Sequence, residues 1–254
     1  MRIWLIILFA YLALPMYSQK PVSSKDSDVW KKKWELVWHD EFRNSKAFDK
    51  KWISENAAPA HILSSRWRSN ISHRKRHVYL NNKKEHKSGK NLTTGSMSSN
   101  KTFSYGYYEC RMKISASLGI NNSFWLYCWN KTDKLHAFEI DIVEGHYPNI
   151  MNSTIHDRGT KISSQKKTIT NKFISNKTLY DGFHVYGLWW TADFLNFYLD
   201  GNLIWSTPNT CCHQEATLVL GTAVLPWAGK ISDSIDGTSM EVDYVRIWEE
   251  KNDK

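Results

Sequence analysis

A ten-residue stretch in the middle of the chain, FEIDIVEGHY, places three carboxylates within a run of strand-forming residues. Side chains of a strand alternate between its two faces, so Glu139 and Asp141 point to one face, and Glu144 points to the other if the strand is regular. One extra residue inserted as a β-bulge, at Ile142 or Val143, would return Glu144 to the face of the other two acids. The spacing therefore indicates either an incidental third acid or a bulged strand that aligns three carboxylates.

Aligned carboxylates suit the hydrolysis of a glycosidic bond. One carboxylate attacks the anomeric carbon while a protonated carboxyl donates to the leaving oxygen, and retaining enzymes hold the two groups about 5 Å apart. A third acid between them can share a hydrogen bond with the nucleophile and spread the pKa values apart. Three acids simply left in water are the alternative. Burial of Ile140 with Ile142 or Val143 on the opposite face argues against it, because the strand is then a central one whose polar face lines a cleft.

The elements that must position this strand are also predicted to be β-strands. Short runs rich in β-branched and aromatic residues alternate with Asn, Gly, Asp and Lys, which favours an antiparallel sandwich or barrel. Asp200-Gly201 between two apolar arms predicts a hairpin. No segment has a long 3.6-residue apolar period, so a helical or α/β fold is not expected. The predicted strands are WELVWHDEF, RHVYL, LTTGSMSS, YGYYECRMKI, SFWLYCW, AFEIDIVE, NSTIHD, FHVYGLWWT, FLNFYLDGNLIW, ATLVLGTAV and SMEVDYVRIWE.

The first 30 residues are predicted to precede the folded domain. Residues 1–18 combine a basic N-terminal region with a short apolar run and small or polar residues near Ser18, which is typical of a cleaved secretory signal peptide. Residues 19–30 read as a polar linker. The remaining residues, 31–250, are expected to form a single catalytic domain, since all-β units of this size are common.

The chain is basic, with a formal net charge of +9 from 34 Lys and Arg against 25 Asp and Glu. Much of the excess lies in residues 66–90, where Glu85 is the only acid. Such a cluster suggests a polyanionic partner, and export argues against nucleic acid. A solvated lysine-rich face and a surface for an anionic polysaccharide remain as the two interpretations. The basic residues of the cluster are Arg66, Arg68, Arg74, Lys75, Arg76, Lys83, Lys84, Lys87 and Lys90.

Cysteine and aromatic residues add less specific information. Cys110, Cys128, Cys211 and Cys212 are too few for a disulfide scaffold, and an adjacent pair cannot easily bridge to itself. We expect structural cysteines, with at most one or two bridges and no catalytic thiol. The 13 Trp and 12 Tyr are expected mainly in the core, although aromatic rings are also platforms for sugars.

Several segments together resemble glycoside hydrolase family 16, whose members are mostly secreted endo-acting β-glycanases. LVWHDEF followed by FDKKW resembles the opening strand of the family, and TTGSMSSNKTFSYGYYECRMKI resembles its Gly-Ser turn and adjoining strand. SFWLYCW precedes the acidic strand, and FHVYGLWWTADFLNFYLDGNLIW and MEVDYVRIWEE resemble the later strands. The resemblance covers roughly residues 34–250. It implies an all-β fold, a concanavalin-like β-jelly-roll sandwich of two antiparallel sheets with a substrate cleft.

The resemblance also implies roles for the three acids. EIDIVE has the bulged spacing of laminarinase-, agarase-, porphyranase- and carrageenase-like members, so Glu139 would be the nucleophile, Asp141 the assisting acid and Glu144 the general acid/base. The implied function is a secreted retaining endo-β-glycosidase acting on a red-algal galactan such as porphyran, agar or carrageenan, or on β-1,3-glucan. A transglycosylase and a noncatalytic carbohydrate-binding module are the alternatives. The bulged spacing argues against the first, and the intact triad argues against the second.

Five further residues are candidates for substrate binding. Trp125 in SFWL matches the aromatic that the family places beside the cleaved sugar, with core packing as the alternative. His156, on the strand after the catalytic one, either contacts the acid/base or the substrate, or is an ordinary satisfied histidine. Trp67 could stack on a sugar while its neighbours Arg66 and Arg68 bind anionic substituents.

The expected partner is therefore a polysaccharide, neutral or anionic, and neither nucleic acid nor a membrane. No cofactor and no catalytic metal are expected to be required. A structural calcium ion is left open, although nothing in the sequence indicates one. We expect a monomer that is secreted or periplasmic.

Overall fold

The computed structural model describes residues 31–32 and 34–251. The predicted signal peptide (1–18) and polar linker (19–30) lie outside these described residues. Within the described part of the chain, no helix is long and apolar enough to cross a membrane.

Strands dominate the described residues, as the sequence predicts. The helical segments among the described residues are a short α-helix, α1 (Phe48–Lys51), and the 3-10 turns Ser45–Ala47, Arg68–Asn70, Pro226–Ala228 and Asp233–Ile235. The strands are β1 (Trp34–Asp40), β2 (Trp52–Ser54), β3 (Ser64–Arg66), β4 (Ile71–Arg74), β5 (His77–Asn81), β6 (Lys83–Lys87), β7 (Lys90–Thr94), β8 (Ser96–Phe103), β9 (Gly106–Lys113), β10 (Ile120–Cys128), β11 (Phe138–His146), β12 (Ile150–Asp157), β13 (Lys167–Ile174), β14 (His184–Trp190), β15 (Phe194–Leu199), β16 (Asn202–Pro208), β17 (Ala216–Val224) and β18 (Ser239–Glu250).

These strands form two large antiparallel sheets. The site sheet has the order β13-β12-β11-β10-β17-β8-β2, and the back sheet has the order β16-β15-β14-β9-β18-β5-β4, with β1 also paired to β18. A small third sheet, β3-β7-β6, contains one parallel pair, β3 with β7. The acidic strand β11 is an interior strand of the site sheet, as its apolar residues predict.

The main hydrophobic core contains buried residues of both sheets. Residues of β11 alternate in their surroundings: Ile140 is fully buried in this core, whereas Glu139 is only partly buried. Since neighbouring side chains of a strand point to opposite faces, the acids point away from the core. Representative core residues are Leu126, Ile140 and Leu220 of the site sheet and Tyr108, Leu188 and Ile247 of the back sheet.

The predicted hairpin at Asp200-Gly201 is confirmed. The two residues connect β15 to β16, and both have left-handed backbone conformations, with φ of 49° and 75°. Two successive positive φ angles match the type I′ turn that the right-handed twist of paired strands favours. Asp200 also accepts a hydrogen bond from His184, which fixes the turn against β14.

The four cysteines are all buried free thiols. Cys211 and Cys212 have their sulfur atoms 3.6 Å apart, which is a non-bonded distance. From the sequence, at most one or two disulfide bridges were expected. The folded protein has none, because all four cysteines are free. The thiols act as small apolar side chains of the core.

Candidate active site

A bulge in β11 aligns the three acids. Asp141 pairs with Thr154 of β12 and Glu144 pairs with Asn152, so two residues of β11, Ile142 and Val143, lie opposite a single residue of β12. The register against β10 shifts at the same point. Both bulge side chains are fully buried, which turns Glu144 back to the face of the other acids. The predicted bulge is confirmed.

The acids line a cavity of about 810 Å³ on the outer face of the site sheet. The bulge is fastened beneath it by a hydrogen bond of 2.8 Å from Ser153 Oγ to the carbonyl of Ile142. Both polar and aromatic side chains surround the space, as a sugar-binding cleft requires. The cavity is lined by Glu139, Asp141 and Glu144 together with His61, Ile62, Arg66, Asn121, Ser123, Trp125, Trp129, Asn152, Thr154, His156, Arg158, Thr170, Ala223, Leu225 and Trp227.

Burial raises the pKa values of Asp141 and Glu144. Burial and the negative charge of Asp141 raise the pKa of Glu144 to about 8, although a hydrogen bond from Asn121 acts in the opposite direction. Burial and the charge of Glu139 also raise the pKa of Asp141 well above its usual value. A carboxyl that keeps its proton near neutral pH is suited to general acid catalysis.

Arg158 gives Glu139 a positive partner. Arg158 directly follows β12, and its Nη2 donates a hydrogen bond of 2.9 Å to Oε2 of Glu139. The backbone N–H of Arg158 donates to the carbonyl of Ala137 at 2.9 Å, which holds the end of β12 beside the start of β11. The pair orients the Glu139 carboxylate and balances its charge within the cavity.

His156 lies between the acids and the next strand. Its Nε2 is 3.4 Å from Oδ2 of Asp141 and 3.9 Å from Oε1 of Glu139, and its Nδ1 is 2.9 Å from Oγ1 of Thr168 on β13. Burial lowers the pKa of the imidazole. His156 therefore lies beside Asp141 and Glu139. The contact suggested from the sequence was with Glu144 or with the substrate.

A second set of contacts, not anticipated from the sequence, holds Glu144. Asn121 of β10 donates a hydrogen bond of 2.8 Å from Nδ2 to Oε1 of Glu144. The Oδ1 atom of Asn121 lies 3.0 Å from Nε2 of His146, the last residue of β11. The signal in the sequence was the run of polar residues Asn121, Asn122 and Ser123, which follows Ile120 near the start of the mostly apolar strand β10, INNSFWLYC.

The substrate-binding candidates divide into two groups. Arg66, Trp125 and His156 line the cavity with the three acids, whereas Trp67 and Arg68 do not. The indole of Trp67 donates to Ser65 Oγ at 2.8 Å, and Lys87 Nζ lies 4.0 Å from the ring centroid.

Arg68 is directed away from the cavity. Its Cζ lies 4.6 Å from the Phe48 ring centroid, and its Nε lies 3.6 Å from Asp49 Oδ1. A strand would have placed Arg66 and Arg68 on one face. Strand β3 ends at Arg66, however, and Arg68 begins a 3-10 turn. Trp67 and Arg68 therefore do not line the cavity with the acids, and their contact with the substrate stays a prediction.

Within the described residues, one group of side chains could reach a single metal ion. The ligand atoms of Glu139, Asp141 and His156 lie within 4.8 Å of one another. Glu139 is already paired with Arg158, and the raised pKa of Asp141 favours its neutral form, so this donor set suits carboxylate chemistry better than metal binding. The prediction about a structural calcium ion stays untested.

Comparison with known proteins identifies relatives of the whole domain. Residues 30–250 match the family described as beta-porphyranase A-D, GH16 domain. β-Porphyranase B of Zobellia galactanivorans is 27% identical over 250 residues, which cover 85% of each chain. κ-Carrageenase of Pseudoalteromonas carrageenovora is 29% identical over 185 residues. That match covers 61% of this chain but only 46% of the carrageenase, so the chain spans less than half of that relative's length.

Solved structures share the fold. The crystal structure of porphyranase B from Z. galactanivorans superposes with a TM-score of 0.74 at 24% identity, covering 87% of this chain and 94% of that one. The endo-β-1,3-glucanase of Pyrococcus furiosus superposes with a TM-score of 0.75 at 23% identity, covering 87% and 97%. The two-sheet jelly-roll architecture predicted from the sequence is thereby confirmed.

Proposed function

The chain belongs to glycoside hydrolase family 16, and from this premise we propose that it is a retaining endo-β-glycosidase that cleaves an anionic red-algal galactan of the porphyran type. Family membership makes it a glycoside hydrolase. The observation that carries the substrate proposal is the presence of two arginines, Arg66 and Arg158, in the same cavity as the acids. Guanidinium groups bind sulfate and carboxylate through paired hydrogen bonds.

The proposed reaction has two steps. In the first, Glu144 donates its proton to the glycosidic oxygen while a Glu139 oxygen attacks the anomeric carbon, so the bond to the leaving sugar breaks and a glycosyl ester forms. In the second, the Glu144 carboxylate takes a proton from water, the water oxygen attacks the anomeric carbon, and Glu139 is released. Glu144 is thus protonated again for the next cycle.

The surroundings of the acids support this division of roles. Glu139 is oriented by Arg158, whereas Glu144 has no basic side chain within hydrogen-bond distance among the described residues and has a raised pKa. Asp141, between them and also with a raised pKa, can donate its proton in a hydrogen bond to the nucleophile.

The walls of the cavity support an extended sugar substrate. The ring of Tyr127 lies next to those of Trp125 and Trp129, with centroid distances of 5.3 and 5.0 Å. The side chain of Trp227, which also lines the cavity, is 55% exposed. Aromatic surfaces of this kind pack against the apolar faces of sugars. Each guanidinium uses one Nη atom in an ion pair, Arg66 Nη1 with Glu55 and Arg158 Nη2 with Glu139, and its other Nη atom has no hydrogen-bond partner among the described residues and can donate to a ligand.

A neutral β-1,3-glucan is the second candidate substrate. Each arginine already has a carboxylate partner, since Arg66 Nη1 lies 2.9 Å from Glu55 Oε2 and Arg158 is paired with Glu139. Arginines that serve only these pairs would leave a cavity suited to an uncharged sugar.

Export to the periplasm or the medium and a monomeric state complete the proposal, and both rest on the sequence alone.

A substrate panel tests the proposal. Purified protein is incubated with porphyran, agarose, κ-carrageenan, laminarin and mixed-linkage glucan, and the products are separated by size. We expect a ladder of short oligosaccharides from porphyran, as an endo-acting hydrolase produces. Hydrolysis of laminarin with none of any anionic galactan would overturn the substrate proposal. Products longer than a purified oligosaccharide substrate would indicate a transglycosylase, and binding without products would indicate a noncatalytic module.

A further inference from the structure

We propose that Asn121 and His146 form a positioning pair that directs the transferable proton of Glu144 to its Oε2 atom. The inference rests on the proposed role of Glu144 as general acid/base. It assigns a function to two residues that lie outside the EIDIVE motif.

The pair is buried beside the acid. Asn121 and His146 are 5% and 4% exposed, and they lie on the neighbouring strands β10 and β11. Register brings them together, because the next residue of β10, Asn122, pairs with Gly145 of β11. The hydrogen bonds are 2.8 Å from Asn121 Nδ2 to Glu144 Oε1 and 3.0 Å between His146 Nε2 and Asn121 Oδ1.

The structure gives the direction of donation along this chain of bonds. Asn121 presents its amide nitrogen to Glu144 Oε1 and its amide oxygen to His146 Nε2. The ionised Glu144 of the second reaction step requires the same orientation, because a carboxylate can only accept. That oxygen requires a donor. Burial lowers the pKa of His146 to about 4, so the ring is neutral and its single N–H is placed on Nε2. Nδ1 is then the acceptor, with Asn152 Nδ2 at 3.5 Å.

The consequence falls on the two oxygens of Glu144. Oε1 accepts the Asn121 N–H whether or not the carboxyl is protonated, so a proton on Oε1 would compete with that bond. Oε2 accepts no hydrogen bond from any described residue and is left for the cavity that Glu144 lines. The proton therefore occupies the oxygen that meets the substrate. Without the pair, the carboxyl could rotate and present its proton away from the glycosidic oxygen.

Other groups around Glu144 and His146 are accounted for. Asp141, Glu139 and His156 act on Glu144 through their charges, and Lys172 of β13 acts on His146. The rings of Trp227 and His146 pack in a T-shaped arrangement with their centroids 5.0 Å apart, which holds the imidazole in place. None of these groups can replace the N–H that Asn121 supplies to Glu144.

Two variants of His146 separate a proton-directing role from a packing role. His146→Gln retains an N–H donor at the position of Nε2, whereas His146→Phe retains the ring volume without a donor. The Glu144 carboxyl is titrated by ¹³C NMR in side-chain-labelled protein, with its signal assigned by its loss in Glu144→Gln. The pH dependence of kcat is measured in parallel, since the basic limb reports the loss of the acid proton.

We expect His146→Phe to raise the pKa of Glu144, because Asn121 is free to flip and present its oxygen to the carboxyl. We expect kcat to fall about 10- to 100-fold with little change in KM, because a misaligned acid weakens the chemical step and not substrate binding. His146→Gln should restore both quantities toward those of the unmodified protein. Asn121→Ala, which removes the donor directly, should shift the titration in the same direction as His146→Phe and serves if the Phe variant does not fold.

A buried asparagine elsewhere provides the control for general destabilisation. Asn209 donates to the carbonyls of Thr191 and Cys212, so Asn209→Ala should lower the Tm without moving the Glu144 titration. An unchanged Glu144 titration in both His146→Phe and Asn121→Ala, or a Gln variant no better than the Phe variant, would overturn the proposal. The NMR titration requires no substrate, so it tests the positioning pair even if the proposed polysaccharide is wrong. Full turnover by Glu144→Gln would instead refute the role of Glu144 itself.

Discussion

Arg158 Nη2 lies 2.9 Å from Glu139 Oε2, and this contact joins the first residue after strand β12 to the second residue of the acidic strand β11. The guanidinium is also the group that lowers the pKa of Asp141 against the effect of burial. One cation thus acts on two of the three acids. The proposed nucleophile, Glu139, and the proposed assisting acid, Asp141, thus interact with a residue 19 and 17 positions further along the chain.

Removal of this cation should weaken catalysis. In Arg158→Ala the Glu139 carboxylate loses its orienting donor, and Asp141 loses a compensating positive charge. We expect kcat/KM to fall at least about tenfold, equivalent to about 1.4 kcal/mol of transition-state stabilisation. Arg158→Lys should retain part of the activity, because it keeps the charge but not the planar donor geometry.

Arg111→Ala is the matched control for Arg158→Ala. Arg111 has a similar side-chain exposure, 37% against 36%, and pairs with Asp243 at 2.5 Å on the back sheet, far from the acids in the topology. Its loss should leave kcat/KM unchanged. Equal activities of Arg158→Ala and the unmodified protein would show that the ion pair does not contribute to the reaction.

Conservative amide substitutions should remove the chemistry and keep the fold. Glu144→Gln deletes the transferable proton and should lower kcat by about 10²- to 10⁴-fold, the usual contribution of general acid catalysis. Glu139→Gln should cost at least as much, since it deletes the nucleophile. Asp141→Asn should cost less than either. Near-normal turnover by a Glu139 or Glu144 variant, with the Tm and oligosaccharide binding as checks on folding, would contradict the assigned roles.

The stereochemistry of the product tests the distance between the two reacting carboxyls. A nucleophile and acid/base about 5 Å apart give double displacement and hence retention of the β-anomer. Proton NMR of the earliest products should therefore show the β-anomeric signal before mutarotation mixes the anomers. Initial release of the α-anomer would mean that a water molecule fits between the carboxyls and that the enzyme inverts.

The raised pKa of Glu144 predicts a pH-dependent cost in stability. The carboxyl titrates near about 4.3 in an unfolded chain, but at about 8 in the folded protein. Between these values the folded state holds a proton that the unfolded state has released, so the free energy of unfolding falls as pH rises through this range. Glu144→Gln should therefore raise the Tm by several degrees near pH 8 and have little effect near pH 4, as followed by thermal denaturation. An equal Tm difference at both pH values would contradict the raised pKa.

Arg66 should contribute to the binding of a negatively charged substrate, whereas Arg68 should not. Arg66→Ala should lower kcat/KM for porphyran about tenfold and weaken the inhibition by added salt, because Arg66 lines the cavity. Arg68→Ala is the matched control and should change neither quantity, since Arg68 packs on Phe48. Equal losses in the two variants would mean that general surface charge, rather than a site, attracts the polysaccharide.

Local patterns in the sequence were sufficient to predict most of the strands and the alignment of the three acids. Strands such as β6 (Lys83–Lys87) and β13 (Lys167–Ile174) were missed, because their mostly polar sequences lack the apolar residues of the other strands. The bulge follows from the odd spacing between Asp141 and Glu144 and from two apolar residues that both require burial. Arg158, Asn121 and His146 could not be located in this way, because the pairing of β11 with β10 and β12 brings them to the acids. The position of Trp67 could not be predicted in this way either, because β3 ends at Arg66 and the next residue, Trp67, does not line the cavity.

The four unbridged thiols distinguish the native protein from its denatured chain. No covalent cross-link needs an oxidant to form, so the native structure can be reached equally well under reducing conditions. Once heat or denaturant exposes the sulfurs, however, air oxidation can join them in pairs that the native core cannot accommodate. A reductant should therefore increase the yield of refolded protein after denaturation, without changing the stability of the native state.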